Sequence, residues 1–309
     1  MPKKLLFLFI SSFFTSFLNA QETPFEKLKD VVVQIGMINN GRFQTVGSGL
    51  STYVMVNSTM VTCIITAGHI IDAFVKNNRD SFYVRYSWAD SIKTTQYFGT
   101  GIPMRIFNKM PSHFRSSSPS IDLGCIVVPR YDTIAENYYN VTNHGKGHVY
   151  PINSINDPIL GQTTAMFGYP QNIENVFNPL DYSVCTIKPG LISWISHVKI
   201  DPRIDPYVLV ETNSTFGNSG GPVFTVPDLI VNTSSQLVGI ASSIYTESTA
   251  LPLMSDTNIV KDQKTNKPYY INATSKTGMA VLVRSNVIRI FLQDVQSFMQ
   301  KNSKAYLIP

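Results

Sequence analysis

The chain has 309 residues, of which 43% are hydrophobic and only 15% are charged. This apolar fraction is too high for a disordered chain, and the 18 glycines and 18 prolines form no fibrous repeat. Three cysteines are too few for a disulfide-dense scaffold, and a formal charge of +5 gives no case for nucleic-acid binding. By length, the chain holds one large domain or two smaller ones.

Residues 1–20 have the layout of a secretory signal peptide. Lys3 and Lys4 supply positive charge, Leu5–Phe17 form an apolar run, and Ala20 offers a small residue at the expected cleavage site. The run is short for a bilayer span, although an uncleaved anchor is the alternative. We therefore predict export to the periplasm or beyond the cell, with no membrane anchor after cleavage.

Short segments rich in β-branched and aromatic residues follow along the mature chain. They recur between turn signals at 31–35, 82–86, 124–128, 207–210, 237–241 and 279–283. The Asn40–Gly41 pair suits a hairpin turn after the first segment. Because no strand–helix alternation is present, the pattern predicts an all-β barrel or sandwich.

Polar stretches interrupt these segments. Residues 111–120 and 246–277 are rich in Ser, Thr, Asn and Pro and are predicted to be surface loops. The similarly polar segment 131–157 is the candidate linker between two β units.

One long helix is predicted near the C-terminus. Ser285 is its candidate cap, and apolar residues follow on one face at Val287, Ile288, Phe291, Leu292, Val295, Phe298 and Met299. We expect this helix to dock on a barrel, because its polar face lacks the basic run of a membrane-binding helix. A shorter helical turn is expected after His69.

The segment Gly217–Pro222, with the sequence Gly-Asn-Ser-Gly-Gly-Pro, is the most informative of the chain. Amide hydrolysis needs a nucleophile and hydrogen-bond donors for the developing oxyanion at one place. Ser219 supplies a hydroxyl, and its small neighbours let the N–H groups of Gly217 and Ser219 point into one oxyanion hole. An ordinary glycine-rich turn is the competing interpretation.

His69 and Asp122 complete a candidate catalytic triad. His69 ends the sequence Thr-Ala-Gly-His, and an imidazole can accept a serine proton near neutral pH. Asp122 opens an apolar strand, where a carboxylate is unexpected unless it orients the imidazole or caps a turn. The remaining histidines are predicted to be ordinary surface or packed residues: His113, His144, His148 and His197.

These motifs, in the order His, Asp, Ser, resemble those of the chymotrypsin-like serine peptidases. Further details resemble the bacterial HtrA-type branch, without its PDZ module: the Gly-Ser-Gly strand at 46–50, the Gly-x-Pro turn at 167–170 and the strand at 277–281. The resemblance implies two packed six-stranded antiparallel β-barrels, an N-terminal one over 22–145 and a C-terminal one over 146–284. A packing helix over 285–301 would follow.

The same resemblance implies a function. The chain would be a secreted serine endopeptidase that acts on protein or peptide substrates through an acyl-enzyme on Ser219. His69 would be the general base and acid, Asp122 would orient it, and the Gly217 and Ser219 amides would form the oxyanion hole. No cofactor or metal is expected. The alternative is a protease-fold binding or chaperone protein whose site is unused.

The resemblance also suggests a substrate pocket, lined by Asn213, Ser214, Ser242, Ile244 and Gly278. Because Asn213 is uncharged, a strong preference for Lys or Arg is disfavoured, and we expect a modest pocket for apolar or small side chains. Two departures stand out. Asn218 replaces the aspartate that pairs with a new N-terminus in digestive members, so activation by that ion pair is not expected. The three cysteines are expected to be buried small residues, unless one pair is bridged.

Overall fold

The N-terminal half of the chain folds into one antiparallel sheet. The structure, a computed structural model, describes residues 28–40, 42–86, 99–103, 111–128, 149–152, 158–170, 185–195, 206–212, 214–215, 217–227, 234–252, 254–255, 258–259, 261, 265, 267 and 270–307. The strands of the first sheet are Val32–Asn39 (β1), Arg42–Val56 (β2), Thr59–Thr66 (β3), Ser81–Tyr86 (β4), Gly99–Pro103 (β5), His113–Arg115 (β6) and Gly124–Val127 (β7). They lie in the order β5-β4-β1-β2-β3-β7-β6.

The C-terminal half forms a closed antiparallel barrel of six strands in the order β10-β15-β12-β11-β8-β9. The strands of this half are Thr163–Gly168 (β8), Thr186–Ile195 (β9), Tyr207–Glu211 (β10), Pro222–Thr225 (β11), Leu237–Pro252 (β12), Met254–Ser255 (β13), Asn258–Ile259 (β14) and Tyr270–Arg284 (β15), of which β13 and β14 pair separately. The helices are Gly68–Lys76 (α1), Ser285–Lys301 (α2) and Ser303–Leu307 (α3).

The predicted all-β, chymotrypsin-like architecture with a C-terminal helix is therefore confirmed. All six predicted strand segments fall on observed strands. The predicted hairpin is also present, because Asn39 pairs with Arg42 and Asn40 has the positive φ of 51° that such tight turns require. The N-terminal unit contains seven described strands, one more than the resemblance implied.

The predictions of surface loops at 111–120 and 246–277 are wrong in part. His113–Arg115 pairs with β7, and residues 246–252 pair with 270–276 as a continuation of β12 and β15. Both stretches look loop-like because they are polar, but a strand needs apolar alternation only where one face is buried. Threonine, present in both arms of the β12–β15 ribbon, has a high strand preference although it is polar.

Three clusters of buried side chains form the core. One fills the N-terminal sheet beneath α1 and one fills the barrel. The largest lies between the two units and under α2, and it joins residues such as Leu50 and Phe167 to Phe291. The two β units are thus packed face to face, and the linker predicted at 131–157 falls mostly outside the described residues.

Helix α2 docks on both units through the predicted apolar face. Its buried residues include Val287, Ile288 and Phe291, whereas Phe298 is 39% exposed and packs edge-on against Phe114 at 5.5 Å between ring centroids. Ser285 does not cap the helix as predicted, because Arg284 holds the N-cap position without a side-chain bond. Within the described part of the chain, no helix is long and apolar enough to cross a bilayer.

Candidate active site

His69 stands at the junction of β3 and α1. The strand ends at Thr66, Ala67 remains extended with φ −69° and ψ 139°, and α1 begins at Gly68. Ile70 and Phe74 on the same helix are buried and fasten it to the sheet. The His69 side chain stays 49% exposed, so its imidazole faces solvent from a fixed backbone.

Asp122 is bonded to His69 twice. The His69 Nδ1 atom lies 2.7 Å from Asp122 Oδ2, and the His69 backbone N–H donates to Oδ1 at 2.8 Å. This carboxylate also accepts a hydrogen bond from the Ser242 hydroxyl at 2.7 Å. Such an arrangement fixes the imidazole orientation and leaves its Nε2 edge available.

The charge of Asp122 is stabilised where it lies. Burial by itself raises the pKa of this carboxyl, but the hydrogen bonds from His69 and Ser242 and the attraction to His69 outweigh it and lower the pKa below its ordinary value. Asp122 is therefore ionised at neutral pH. A carboxylate in this state can support an imidazolium ion on His69.

The loop that carries Ser219 is anchored to the opposite β unit by Ser48. The Ser48 hydroxyl donates to the Gly217 carbonyl at 2.8 Å and accepts the Tyr169 N–H at 2.9 Å. The Ser48 backbone N–H donates to the Ser219 carbonyl at 2.7 Å. A buried residue of β2 thus fixes the backbone on both sides of Asn218.

Glycine is required at two positions of this loop. Gly217 has φ 92° and Gly220 has φ 81°, a region that other residues enter at a cost. A Cβ atom on Gly220 would lie 2.0 Å from the Ser48 carbonyl oxygen and 2.2 Å from Thr66 Oγ1. The loop therefore approaches the end of β3, two residues before α1, closely enough to exclude a side chain.

The predicted oxyanion donors have no hydrogen-bond partner in the part of the chain that the structure describes. Among the described residues, no hydrogen bond uses the backbone N–H of Gly217 or of Ser219, whereas the Asn218 and Gly220 N–H groups are bonded to Thr215 and Ala241 carbonyls. Nor does the Ser219 hydroxyl bond to His69 there. The structure thus brings His69 and Asp122 into direct contact, with Ser219 on a neighbouring loop.

Asn218 connects the loop to a half-buried lysine. The side-chain amide of Asn218 is oriented so that its oxygen faces hydrogen-bond donors. This oxygen accepts from Lys188 Nζ at 3.1 Å and from the Thr215 N–H at 3.1 Å. Lys188 also donates to Thr215 Oγ1 at 2.9 Å. Burial lowers the pKa of this lysine. Asn218 is therefore bonded to a lysine. In digestive members of the resembled family, an aspartate at this position pairs with the new N-terminus instead.

Of the predicted pocket residues, Asn213 lies outside the described residues. Ser214 and Gly278 lie on adjoining segments, because the Thr212 N–H donates to the Gly278 carbonyl at 2.7 Å. Ile244 pairs with Ala280 on β15, two residues from Gly278. The Ser242 hydroxyl donates to Asp122, so this residue contacts the candidate triad directly.

No protein-family model and no curated protein sequence matches the chain. Solved structures with a similar fold include the MamO protease domain from Magnetospirillum magneticum, with 13% identity over 86% of this chain and 98% of that chain at a TM-score of 0.45. Others are the HtrA-type protease AlgW with decapeptide (11%, covering 88% and 66%, TM-score 0.45) and Deg5 (19%, covering 71% and 82%, TM-score 0.42). The solved structures to which the chain is similar thus include one named as an HtrA-type protease, the group that the motifs resemble.

The remaining histidines and the cysteines show no sign of a catalytic or metal-binding role where the structure describes them. His113 packs against Phe82 at 5.7 Å between ring centroids, as predicted for a packed histidine, and burial lowers its pKa. His144, His148 and His197 lie outside the described residues. The three cysteines are free and buried, and burial raises the pKa of Cys185 to about 12. Within the described ranges, no group of three His, Cys, Asp or Glu side chains could hold a metal ion.

Sequence reasoning missed one residue that touches the site. Arg115 lies in the stretch predicted to be a loop, yet its Nη2 atom is 3.3 Å from Asp122 Oδ1. No local motif marks it, because its contacts come from β6 pairing with the strand that follows Asp122. Ser48 was found only as part of a Gly-Ser-Gly motif, without its role as an anchor.

Proposed function

We propose that the protein is a serine endopeptidase that hydrolyses peptide bonds through an acyl-enzyme on Ser219. The observation that carries this proposal is the doubly bonded His69–Asp122 pair beside a loop whose Gly217 and Ser219 N–H groups are unbonded within the described chain. An orienting carboxylate, an exposed imidazole and two convergent donors are the parts that acyl transfer from a serine needs.

In the proposed reaction, His69 Nε2 takes the proton of the Ser219 hydroxyl as the oxygen attacks the substrate carbonyl. The Gly217 and Ser219 amides stabilise the resulting oxyanion, and the His69 imidazolium then protonates the leaving amine. A water molecule gives its proton to His69 and attacks the acyl-enzyme, which releases the carboxylic acid and restores the serine. Asp122 remains ionised throughout and holds the imidazole by its Nδ1–H. The hydrogen bond from Ser219 to His69 forms with bound substrate, since apo catalytic hydrogen bonds often tighten only in the substrate complex.

The predicted pocket indicates which side chain precedes the cut, and the predicted leader indicates where the substrates are found. Ser214, Ile244 and Gly278 favour an apolar or small side chain before the cut, since none of them is charged. The leader at 1–20 directs the protein out of the cytoplasm, so its substrates are exported or extracellular proteins and peptides.

Fluorophosphonate labelling tests the proposal without a known substrate. The wild type should be labelled at one site, and Ser219→Ala should not be labelled. The matched control is Ser243→Ala, which removes an exposed serine next to Ser242 and should leave labelling unchanged. On a peptide found by library digestion, Ser219→Ala and His69→Ala should lower turnover by about 10⁴- to 10⁶-fold.

The competing function is a protease-fold binding protein with an unused site. Among the described residues, the Ser219 hydroxyl makes no hydrogen bond to His69, and this observation favours the competing function. Wild-type protein that resists labelling and cleaves no library peptide, while still folded, would replace the peptidase proposal with this one.

A further inference from the structure

The guanidinium of Arg115 lies behind Asp122 and bonds three parts of the N-terminal unit. Its Nη2 donates to Asp122 Oδ1 at 3.3 Å, and its Nη1 donates to the carbonyls on either side, of Ile121 at 2.8 Å and of Leu123 at 3.1 Å. Its Nε donates to both oxygens of Asp72, at 3.2 and 3.1 Å. One side chain therefore holds the Asp122 backbone, the Asp122 carboxylate and helix α1 at once.

The surrounding residues leave room for this guanidinium. A Cβ atom on Gly68 would lie 2.0 Å from Arg115 Cζ and Nη1, so the glycine at the start of α1 lets the planar group lie against the helix backbone. His69 is the next residue of α1, and Asp72 follows one turn later. The contact set thus bridges the element that carries His69 and the segment that carries Asp122.

We infer that Arg115 is a positioning residue, which holds Asp122 and helix α1 in register and thereby sets the reactivity of Ser219 through His69. This inference rests on the proposed function. Arg115 touches neither the predicted nucleophile nor the predicted oxyanion donors, so it acts through Asp122 and not on the substrate. A displaced carboxylate would misdirect the imidazole, and small misplacements of a catalytic group cost large factors in rate.

The geometry requires an arginine and not merely a cation. The planar fork donates from all three of its nitrogens, in different directions and to four residues. A lysine ammonium is a single point with three donors and cannot reach Asp72, Asp122 and both carbonyls together.

Removal of the side chain should leave the fold intact. Both carbonyls keep a backbone donor, because the Leu123 N–H bonds to the Ile121 oxygen at 2.9 Å and the Ser116 N–H bonds to the Leu123 oxygen at 3.0 Å. The loss therefore falls on Asp122 and on the link to α1.

The charged groups around Asp122 predict a pH signature. Among the described residues, Asp122 is faced by His69 on α1, by Arg115 on β6 and by the Tyr207 side chain on β10, with Asp72 beyond the guanidinium. Without the guanidinium, an imidazolium at His69 loses a nearby positive charge. The acidic limb of the rate–pH profile should then move to higher pH, whereas a merely looser fold would lower the rate equally at every pH.

The experiment compares full-length wild type with Arg115→Ala, Arg115→Lys and Asp72→Asn, and with Arg289→Ala as the matched control. Arg289 is an exposed arginine of α2. The measurements are the second-order rate constant of fluorophosphonate labelling across the pH range, the kcat and KM on a library-derived peptide, and the thermal unfolding midpoint.

We expect Arg115→Ala to label about 10- to 100-fold more slowly, with kcat lowered, KM unchanged and the acidic limb shifted to higher pH. Arg115→Lys should be almost as slow, Asp72→Asn should be slowed several-fold, and Arg289→Ala should equal the wild type. Wild-type rates in Arg115→Ala, or full rescue by Arg115→Lys, would overturn the inference and leave the proposed function standing. If Arg115→Ala does not fold, Arg115→Lys and Asp72→Asn decide alone, and wild-type rates in both overturn it. Failure of the wild type to label at all would instead remove the proposed function.

Discussion

Two buried serines of β2, three residues apart, give a matched test of how the loop at Ser219 is held. Ser48 Oγ makes two hydrogen bonds, to the Gly217 carbonyl at 2.8 Å and from the Tyr169 N–H at 2.9 Å. Ser51 Oγ is equally buried, and among the described residues it has no partner. Replacing each by alanine removes the same hydroxyl from the same strand, so the difference between the two variants isolates the anchor.

The magnitude follows from the groups left behind. Ser48→Ala deprives two buried backbone groups of a hydrogen bond, at about 1–3 kcal/mol each, so the free energy of unfolding should fall by about 2–6 kcal/mol. Ser51→Ala removes a hydroxyl that was buried without compensation, so its stability should stay within about 1 kcal/mol of the wild type or rise. Against a typical total of about 5–15 kcal/mol, the first loss is easily measured.

Chemical denaturation gives the stabilities, and fluorophosphonate labelling of the folded protein gives the function. We expect Ser48→Ala to label slowly even where it is fully folded, because the loop with the proposed oxyanion donors has lost its side-chain attachment to β2. Ser51→Ala should label at the wild-type rate. Equal stabilities and equal labelling rates in the two variants would refute the assignment of Ser48 as the anchor.

Three further predictions concern the loop, the carboxylate and the helix. Gly220→Ala should abolish folding or labelling, because its Cβ would lie 2.0 Å from the Ser48 oxygen, whereas Gly161→Ala, with φ 80° and open space around it, should cost only about 1–2 kcal/mol on denaturation. The pKa of Asp122 is lowered on folding, so its carboxylate stabilises the fold above its unfolded pKa, and this stability is lost as pH falls through the lower folded value. The stability difference between wild type and Asp122→Asn should therefore shrink below about pH 4 in thermal unfolding, and a difference independent of pH would contradict the shift. Phe298→Ala should lower the unfolding free energy by about 1–2 kcal/mol through its edge contact with Phe114, and an unchanged value would show that this contact does not stabilise the docked helix.

The sequence predicts those parts of the fold that depend on local periodicity. The apolar spacing from Val287 to Met299 predicts α2, and the hairpin at Asn40 follows from turn chemistry that acts within four residues. The ribbon of β12 and β15 was missed because its strands are polar and pair with each other, so neither needs an apolar face of its own.

In the candidate site, too, residues in local motifs could be predicted, and residues whose contacts depend on the fold could not. His69, Asp122 and Ser219 stand in short motifs whose residue types are set by chemistry, so they could be read from the chain. Arg115 could not be predicted in this way, because its partner Asp72 lies 43 residues away in the sequence. Only the folded sheet brings the two side chains together. Ser242 was predicted as a pocket residue from the resemblance, and only the folded structure shows the hydrogen bond from its hydroxyl to Asp122.

The attachment of the nucleophile loop to the opposite sheet has a consequence for newly made chains. A molecule whose first unit has folded but whose barrel is not yet seated on it has no Ser48 bond to Gly217, and its candidate triad residues remain apart. If the proposed function holds, such a half-assembled chain would be unable to cut its unfolded neighbours. Under the proposed function, docking of the two β units would therefore complete the site.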